Sequence, residues 1–171
     1  MNLLIIGHGR HGKDTVAELL AERLDLKIAS SSHFIAEKVT YPALKDLYGY
    51  PDVEACFEDR HNHRSEWYNL IRDYNTPDLS RLAREIFAEN DVYIGMRNKE
   101  ELDACNEIRL FDIVVWVDAG DRLPPEPTDS MTITASDADY LICNNGTLGE
   151  LSEMVDNLIS YLKEKGIYKS N

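Results

Sequence analysis

The chain has 171 residues, 43% of them hydrophobic and 29% charged, with a formal net charge of −13. This length and balance suit one globular domain with a sizeable core. Apolar runs such as Leu3 to Ile6 and Ile113 to Val117 fall far short of the ~20 residues of a membrane-spanning helix, so no membrane partner is expected.

The negative charge is uneven. Residues 100–171 hold 15 acidic and 5 basic residues, whereas residues 1–99 hold 16 acidic and 13 basic. A chain this acidic is a poor general nucleic-acid binder, because affinity for phosphate backbones comes mainly from Lys and Arg. A polyanion would have to meet a local basic patch in the N-terminal half. Cys56, Cys105 and Cys143 are few, odd in number and without CxxC spacing. They read as reduced thiols in a cytoplasmic protein, with neither a disulfide framework nor a zinc site. The N-terminus runs directly into an expected core strand, so no signal peptide is expected.

In chain order, Asn2 to Ile6 is a short apolar run ending at Gly7, the pattern of a buried strand. Asp14 to Leu24 carries Val16, Leu19, Leu20 and Leu24 at helical spacing. Leu26 to Ala29 is a second strand, ending in Ser30, Ser31 and Ser32. A helix over His33 to Val39 follows, interrupted by Pro42. Residues 40–90 read as a helical insertion, rich in aromatics, that suits an acceptor. Within it Leu79 to Glu89 forms a helix opened by Thr76-Pro77. Asp91 to Gly95 is a third strand, Lys99 to Leu110 a helix, and Phe111 to Val117 the clearest strand. Leu123 to Thr134 is a proline-rich loop, Tyr140 to Cys143 a last strand, and Leu148 to Lys165 the closing helix. Alternation of strands and helices predicts an α/β fold, a three-layer P-loop NTPase domain with a five-stranded parallel sheet, spanning residues 1–171. Its ligand crevice should lie at the carboxyl ends of the strands, after Ile6, Ala29, Ile94, Val117 and Ile142.

Gly7-His8-Gly9-Arg10-His11-Gly12-Lys13 fits G-x-x-x-x-G-K between a strand and a helix. The glycines let backbone N–H groups turn around phosphates, and the helix N-terminus adds partial positive charge. Gly9, Arg10, His11, Gly12, Lys13, Asp14 and Thr15 are therefore the expected ATP contacts, with Lys13 reaching the β- and γ-phosphates. Asp14 stands where Ser or Thr usually meets magnesium, with Thr15 next, and both are candidate Mg2+ ligands.

GHGRHGKDT (residues 7–15) resembles the GKDT-type loop of the phage deoxynucleoside monophosphate kinase-like group. DVYIGMRNKEE (91–101) looks like that group's third strand, and ICNNGTLGEL (142–151) is similar to the closing strand, asparagine loop and helix of small P-loop kinases. The segments SSSHF, YPALKDLYGY and CFEDRHNHRSEW resemble a narrower set, the phage 5-hydroxymethyluracil DNA kinases. These phosphorylate the base hydroxymethyl group in DNA during thymidine hypermodification, which implies ATP, Mg2+, modified DNA and host-cell cytoplasm. The resemblance implies the nucleotide-kinase type of P-loop domain, in which the loop of Asn144 and Asn145 often lies beside adenine; a simple Asn-Gly turn is the alternative. One departure is plain. The place of an arginine-bearing helical lid holds Asp118 to Thr134, with only Arg122 and three prolines. An uncovered site of that kind could admit a polymer.

Other candidates follow from position. Arg97 ends the third strand, where it can touch acceptor or γ-phosphate or else pair with Glu100 or Glu101. Asp59 could accept a proton from the attacking hydroxyl, with Arg60 and Arg64 gripping a phosphate; a solvated helix face is the alternative. Trp67, with Tyr68 and Tyr74, could stack a base or fill a core. Ser32 is a further acceptor-side candidate, and Glu37 and Asp118 are weaker candidates for base or magnesium. His33, His61 and His63 lack zinc-like spacing. Three readings stand open: a DNA hydroxymethyluracil kinase, a deoxynucleoside monophosphate kinase, and a nucleotide-binding module without transfer activity.

Overall fold

The computed structural model describes residues 1–169. Five parallel strands form one sheet: β1 (Leu3–Ile6), β2 (Ile28–Ser30), β3 (Val92–Ile94), β4 (Ile113–Asp118) and β5 (Tyr140–Cys143), in the order β2-β3-β1-β4-β5. The register pairs Leu4 with Tyr93 on one side and with Val114 on the other. β1 is therefore central, and all four of its residues are buried. Burial on both faces explains why it reads as an unbroken apolar run rather than an alternating one.

Alternate residues of the strands feed two separate cores. Leu3, Ile5, Val92, Val115, Val117 and Ile142 pack against α1 (Lys13–Leu24) and α8 (Leu148–Glu164). Leu4, Ile6, Tyr93, Val114 and Trp116 face the helices inserted between β2 and β3, together with α7 (Lys99–Glu107). Each fully buried aliphatic side chain contributes about 1.5–3 kcal/mol. α8 begins on a reciprocal cap: the Thr147 hydroxyl accepts from the Glu150 amide, and the Glu150 carboxylate accepts from the Thr147 amide.

The chain between β2 and β3 is helical almost throughout: α2 (Ser31–Ile35), α3 (Tyr41–Tyr48), α4 (Val53–Glu58), α5 (Arg64–Tyr74) and α6 (Arg81–Phe87). A π-helical turn over Ala36–Thr40 joins α2 to α3. Pro42 thus follows a π-helical turn, and helical backbone continues through it. It lies in the first turn of α3, directly after the wider π turn, where the i→i−4 ladder is already offset. Among the described residues, no helix is long and apolar enough to cross a membrane.

Candidate functional site

The loop from Gly7 to Lys13 lies between β1 and α1, at the carboxyl edge of the sheet. Two glycines are sterically required. Gly7 has φ +146°, and a Cβ there would meet the Val117 carbonyl oxygen at 2.3 Å. Gly12 has φ +100°, and its Cβ would meet Asn144 Nδ2 at 2.3 Å. The Val117 backbone in one case and the buried Asn144 side-chain amide in the other approach too closely for a Cβ, and both glycines have positive φ.

Lys13 opens α1 with a buried stem, and its Nζ donates to the His8 carbonyl at 2.7 Å. Burial pushes its pKa down, and Arg97 pushes the same way, while the Glu126 and Asp14 carboxylates oppose them. A lysine taken out of water inside a phosphate loop, beside a second cation, is arranged for an anion.

His11 is a buckle rather than an exposed contact. Its ring is 1% exposed, Nδ1 accepts from the Ala119 amide at 2.9 Å, and Nε2 faces the Pro124 carbonyl at 3.4 Å. The network assigns the tautomer, with the proton on Nε2. Asn144 is buried too, donating from Nδ2 to the His11 carbonyl at 2.9 Å. Arg122 donates twice to the Asn144 carbonyl, at 3.0 and 2.6 Å. Asn145 Oδ1 accepts from the Asp121 amide at 3.0 Å. Both side-chain amides are engaged with protein: Asn144 ties the β5 exit to the phosphate loop, and Asn145 ties it to the segment after β4.

The 119–134 segment contains no helix, in agreement with its prolines and its lone arginine. It returns across the phosphate loop and is pinned at its far end by buried Met131 and Ile133. Glu126, a residue that the sequence reading passed over, lies against the loop. Its carboxylate accepts from the Gly9 amide at 2.9 Å and pairs with Arg97, while its own amide donates to His8 Nδ1 at 3.1 Å. Burial alone would raise Glu126, but Arg97 and the Gly9 amide outweigh it and hold the carboxyl below its usual range. Burial and neighbouring His11 push His8 down, which suits a neutral ring accepting at Nδ1.

On the acceptor side, Ser32 sits half-buried in α2, just past the carboxyl end of β2, and Arg97 is exposed just past β3. Phe57 is sandwiched between the His33 ring, at 3.6 Å, and the Arg60 guanidinium, at 3.9 Å. Arg60 also donates to the Phe57 carbonyl at 2.8 Å. Burial lowers Arg60, while the charge of Glu54, and after it that of Asp14, counters the shift. Arg64 is exposed at the start of α5. Asp59 accepts from Tyr50 Oη at 2.6 Å and Asn62 Nδ2 at 2.6 Å, with His63 Nε2 at 3.0 Å. Those bonds, the Tyr50 hydroxyl first, hold its carboxyl low.

Trp67 corrects the stacking expectation. On α5, one of the inserted helices, it is 5% exposed and packed into their shared core with the sheet, so neither ring face is open to a base. Tyr68 on the same helix is 65% exposed. Arg10, with φ +63°, is exposed at the loop tip, as is Asp14 at the start of α1; Thr15 is half-buried beside it. Among the described residues, no three His, Cys, Asp or Glu side chains gather as a metal cage. Magnesium in phosphate sites commonly relies on one or two protein oxygens and on phosphate oxygens. The Asp14 carboxylate and Thr15 hydroxyl are hard donors of that kind.

A parallel sheet ordered β2-β3-β1-β4-β5, with G-x-x-x-x-G-K between its central strand and first helix, defines the P-loop kinase fold. Solved structures agree. Shikimate kinase from Bacteroides thetaiotaomicron matches with a TM-score of 0.55 at 11% identity, covering 95% of this chain and 98% of that one. Shikimate kinase from Aquifex aeolicus matches with a TM-score of 0.50 at 15% identity, covering 97% and 98%. No protein-family model matches the sequence, and no curated protein matches it significantly.

Proposed function

We propose that this chain is an ATP-dependent phosphotransferase that moves the γ-phosphoryl group to a hydroxyl acceptor held beside the inserted helices. One observation carries the proposal. The phosphate loop already holds an anion, the Glu126 carboxylate, on the Gly9 amide and Arg97, with Lys13 close by. Donors that grip a carboxylate there can grip a phosphate.

In this reading the acceptor oxygen attacks the γ-phosphorus, the bond to the β–γ bridging oxygen breaks, ADP leaves, and the hydroxyl proton is released to solvent. Lys13 and Arg97 stabilise charge on the transferring group, and the loop amides and α1 position the phosphates. Magnesium, held by Asp14 or Thr15 together with phosphate oxygens, would neutralise charge between the β- and γ-phosphates. Ser32, Arg60 and Arg64 bound the acceptor side. Asp59, with hydrogen-bonding groups on both oxygens, fits a positioning role in the Asp59–Asn62 turn better than proton abstraction.

For the acceptor we propose the hydroxymethyl group of 5-hydroxymethyluracil in DNA. The motif resemblance supports it, as does the absence of a helical lid in residues 119–134. A free deoxynucleoside monophosphate is the second reading, favoured by Arg97, which points a guanidinium at the loop anion. Incubation with γ-labelled ATP and Mg2+ separates them. Label is expected on hydroxymethyluracil-containing DNA and absent with Lys13→Ala. Label on monophosphates alone would select the second reading, and label on neither acceptor would reject both.

A further inference from the structure

The Pro124–Pro125–Glu126–Pro127 strap places a carboxylate where a nucleotide phosphate is expected, and nothing in the proposed reaction uses it. Three independent contacts fix it there. The Gly9 amide donates to Glu126 Oε2 at 2.9 Å, Arg97 Nη1 pairs with Oε1, and the Glu126 amide is held by His8 Nδ1 at 3.1 Å. The approach is close enough that a Cβ on Gly9 would meet Glu126 Oε1 at 3.3 Å. The strap itself is anchored at both ends. The Pro124 carbonyl meets the buried His11 ring at 3.4 Å, and Met131 and Ile133 are buried in the core. Prolines on either side of Glu126 restrict φ and limit the strap's other conformations.

Gly9 belongs to the first half of the phosphate loop, and Arg97 comes from the acceptor side of the crevice. The carboxylate they share therefore stands at the acceptor-facing end of the phosphate track, the end at which a γ-phosphate ends. Taking the nucleotide reading above as its basis, we infer that Glu126 is an internal surrogate for the γ-phosphate that sets the preference between nucleoside triphosphate and diphosphate. The single Gly9 N–H serves one anion at a time, and the Arg97 charge held by Glu126 is not free for a phosphate. A triphosphate binds only after the strap gives up both contacts, and its apparent affinity is lowered by the fraction of molecules with the strap in place. A diphosphate ends short of those donors and leaves the strap seated. After transfer, the returning carboxylate takes back Gly9 and Arg97, which favours the ADP-bound, strap-closed form.

The test is equilibrium binding of ATP, a non-hydrolysable ATP analogue and ADP to the full chain, with wild type, Glu126→Gln, Glu126→Ala and Lys13→Ala side by side. Glu126→Gln keeps the side-chain shape and removes the charge, and Glu126→Ala removes the contacts entirely. Both should bind the triphosphates about tenfold more tightly, the effect of freeing one charge-assisted hydrogen bond and its ion pair. ADP affinity should change less than about twofold, because a diphosphate ends short of the Gly9 and Arg97 donors. Triphosphate affinity that is unchanged or weaker in both Glu126 variants, with Lys13→Ala still impaired, overturns the surrogate and leaves the nucleotide reading intact. An equal gain for ATP and ADP overturns the γ-phosphate assignment. Absence of nucleotide binding in wild type overturns the nucleotide reading and the surrogate together.

Discussion

Asn144 Nδ2 donates to the carbonyl oxygen of His11 at 2.9 Å, so the loop after β5 is fastened from inside to the phosphate loop after β1. The same Asn144 passes its backbone carbonyl to Arg122 and takes the Asp118 carbonyl with its amide at 2.6 Å. One residue thus sets the spacing of the β1, β4 and β5 exits. Asn144→Ala is expected to cost about 1–2 kcal/mol, the range for a buried hydrogen bond whose acceptor is left unpaired. Asn144→Asp should cost more, because a carboxylate would face the His11 carbonyl, acceptor against acceptor. Urea unfolding checks both, and parent-like stability in Asn144→Asp would contradict the buckle.

Lys13 is held in the site against its own solvation. Burial and the Arg97 charge both disfavour its ammonium form. A group kept for chemistry at the expense of stability gives a distinct pair of readouts on substitution. Lys13→Met should lower phosphoryl transfer by about 10²–10³-fold, as expected for loss of one preorganised charge at the transferring group. Its melting temperature should match or exceed the parent's, because the methionine stem fills the same space without a buried charge. Calorimetry alongside the transfer assay checks this, and a clear fall in melting temperature would make Lys13 a net stabilising residue.

Glu101 gives a pH-dependent test with a definite sign. It lies half-buried on α7, bonded by Asn75 Nδ2 at 3.1 Å, near Tyr93 and Cys105. Burial raises its pKa above the ordinary 4.5, and the Asn75 bond only partly opposes this. The folded state therefore binds more protons than the unfolded state between 4.5 and the raised value, and stability from this group falls as pH rises through that window. Above it, the cost of a charged, partly desolvated carboxylate is fully present. Glu101→Gln retains an acceptor for Asn75 and removes the charge. Its melting temperature should exceed the parent's by about 2 °C or more near neutral pH. The gap should close as pH falls toward 4.5 and below. A gap that widens on acidification would reverse the sign and reject this account.

The sheet and the phosphate loop were legible because their determinants are local. Residues 3–6 are apolar without interruption, and the glycines of residues 7–13 have a fixed spacing. What the sequence concealed is nonlocal. Glu126 sits among prolines with no periodicity, and its partner Gly9 is 117 residues away. His11 and Asn144 were visible as site residues, yet their buckling roles depend on a contact spanning 133 residues. Trp67 and Tyr68 are adjacent on one helix, so composition alone could not tell which faces the core. The turn over Ala36–Thr40 widens to π geometry just before Pro42, where a proline rule by itself suggests only an interruption.

Asp59 is where sequence and structure pull apart most usefully. A carboxylate just ahead of Arg60 and Arg64 invites the role of proton acceptor. In the fold it instead gathers Tyr50, Asn62 and His63, and His63 in turn stacks on Tyr48 at 3.9 Å. The Tyr50 hydroxyl, then Asn62, hold the Asp59 carboxyl low, which makes it a weaker base than a free aspartate. A positioning role implies that Asp59→Asn loosens the turn that carries Arg60 while the chemical step survives. We expect kcat within about tenfold of the parent, a higher KM for the acceptor, and a lower melting temperature, since removing a positioning group disturbs binding more than transition-state charge. Steady-state kinetics at saturating ATP, read beside a thermal melt, decide it. A thousandfold loss of kcat with an unchanged melt would return Asp59 to the chemistry as the group that takes the acceptor's proton.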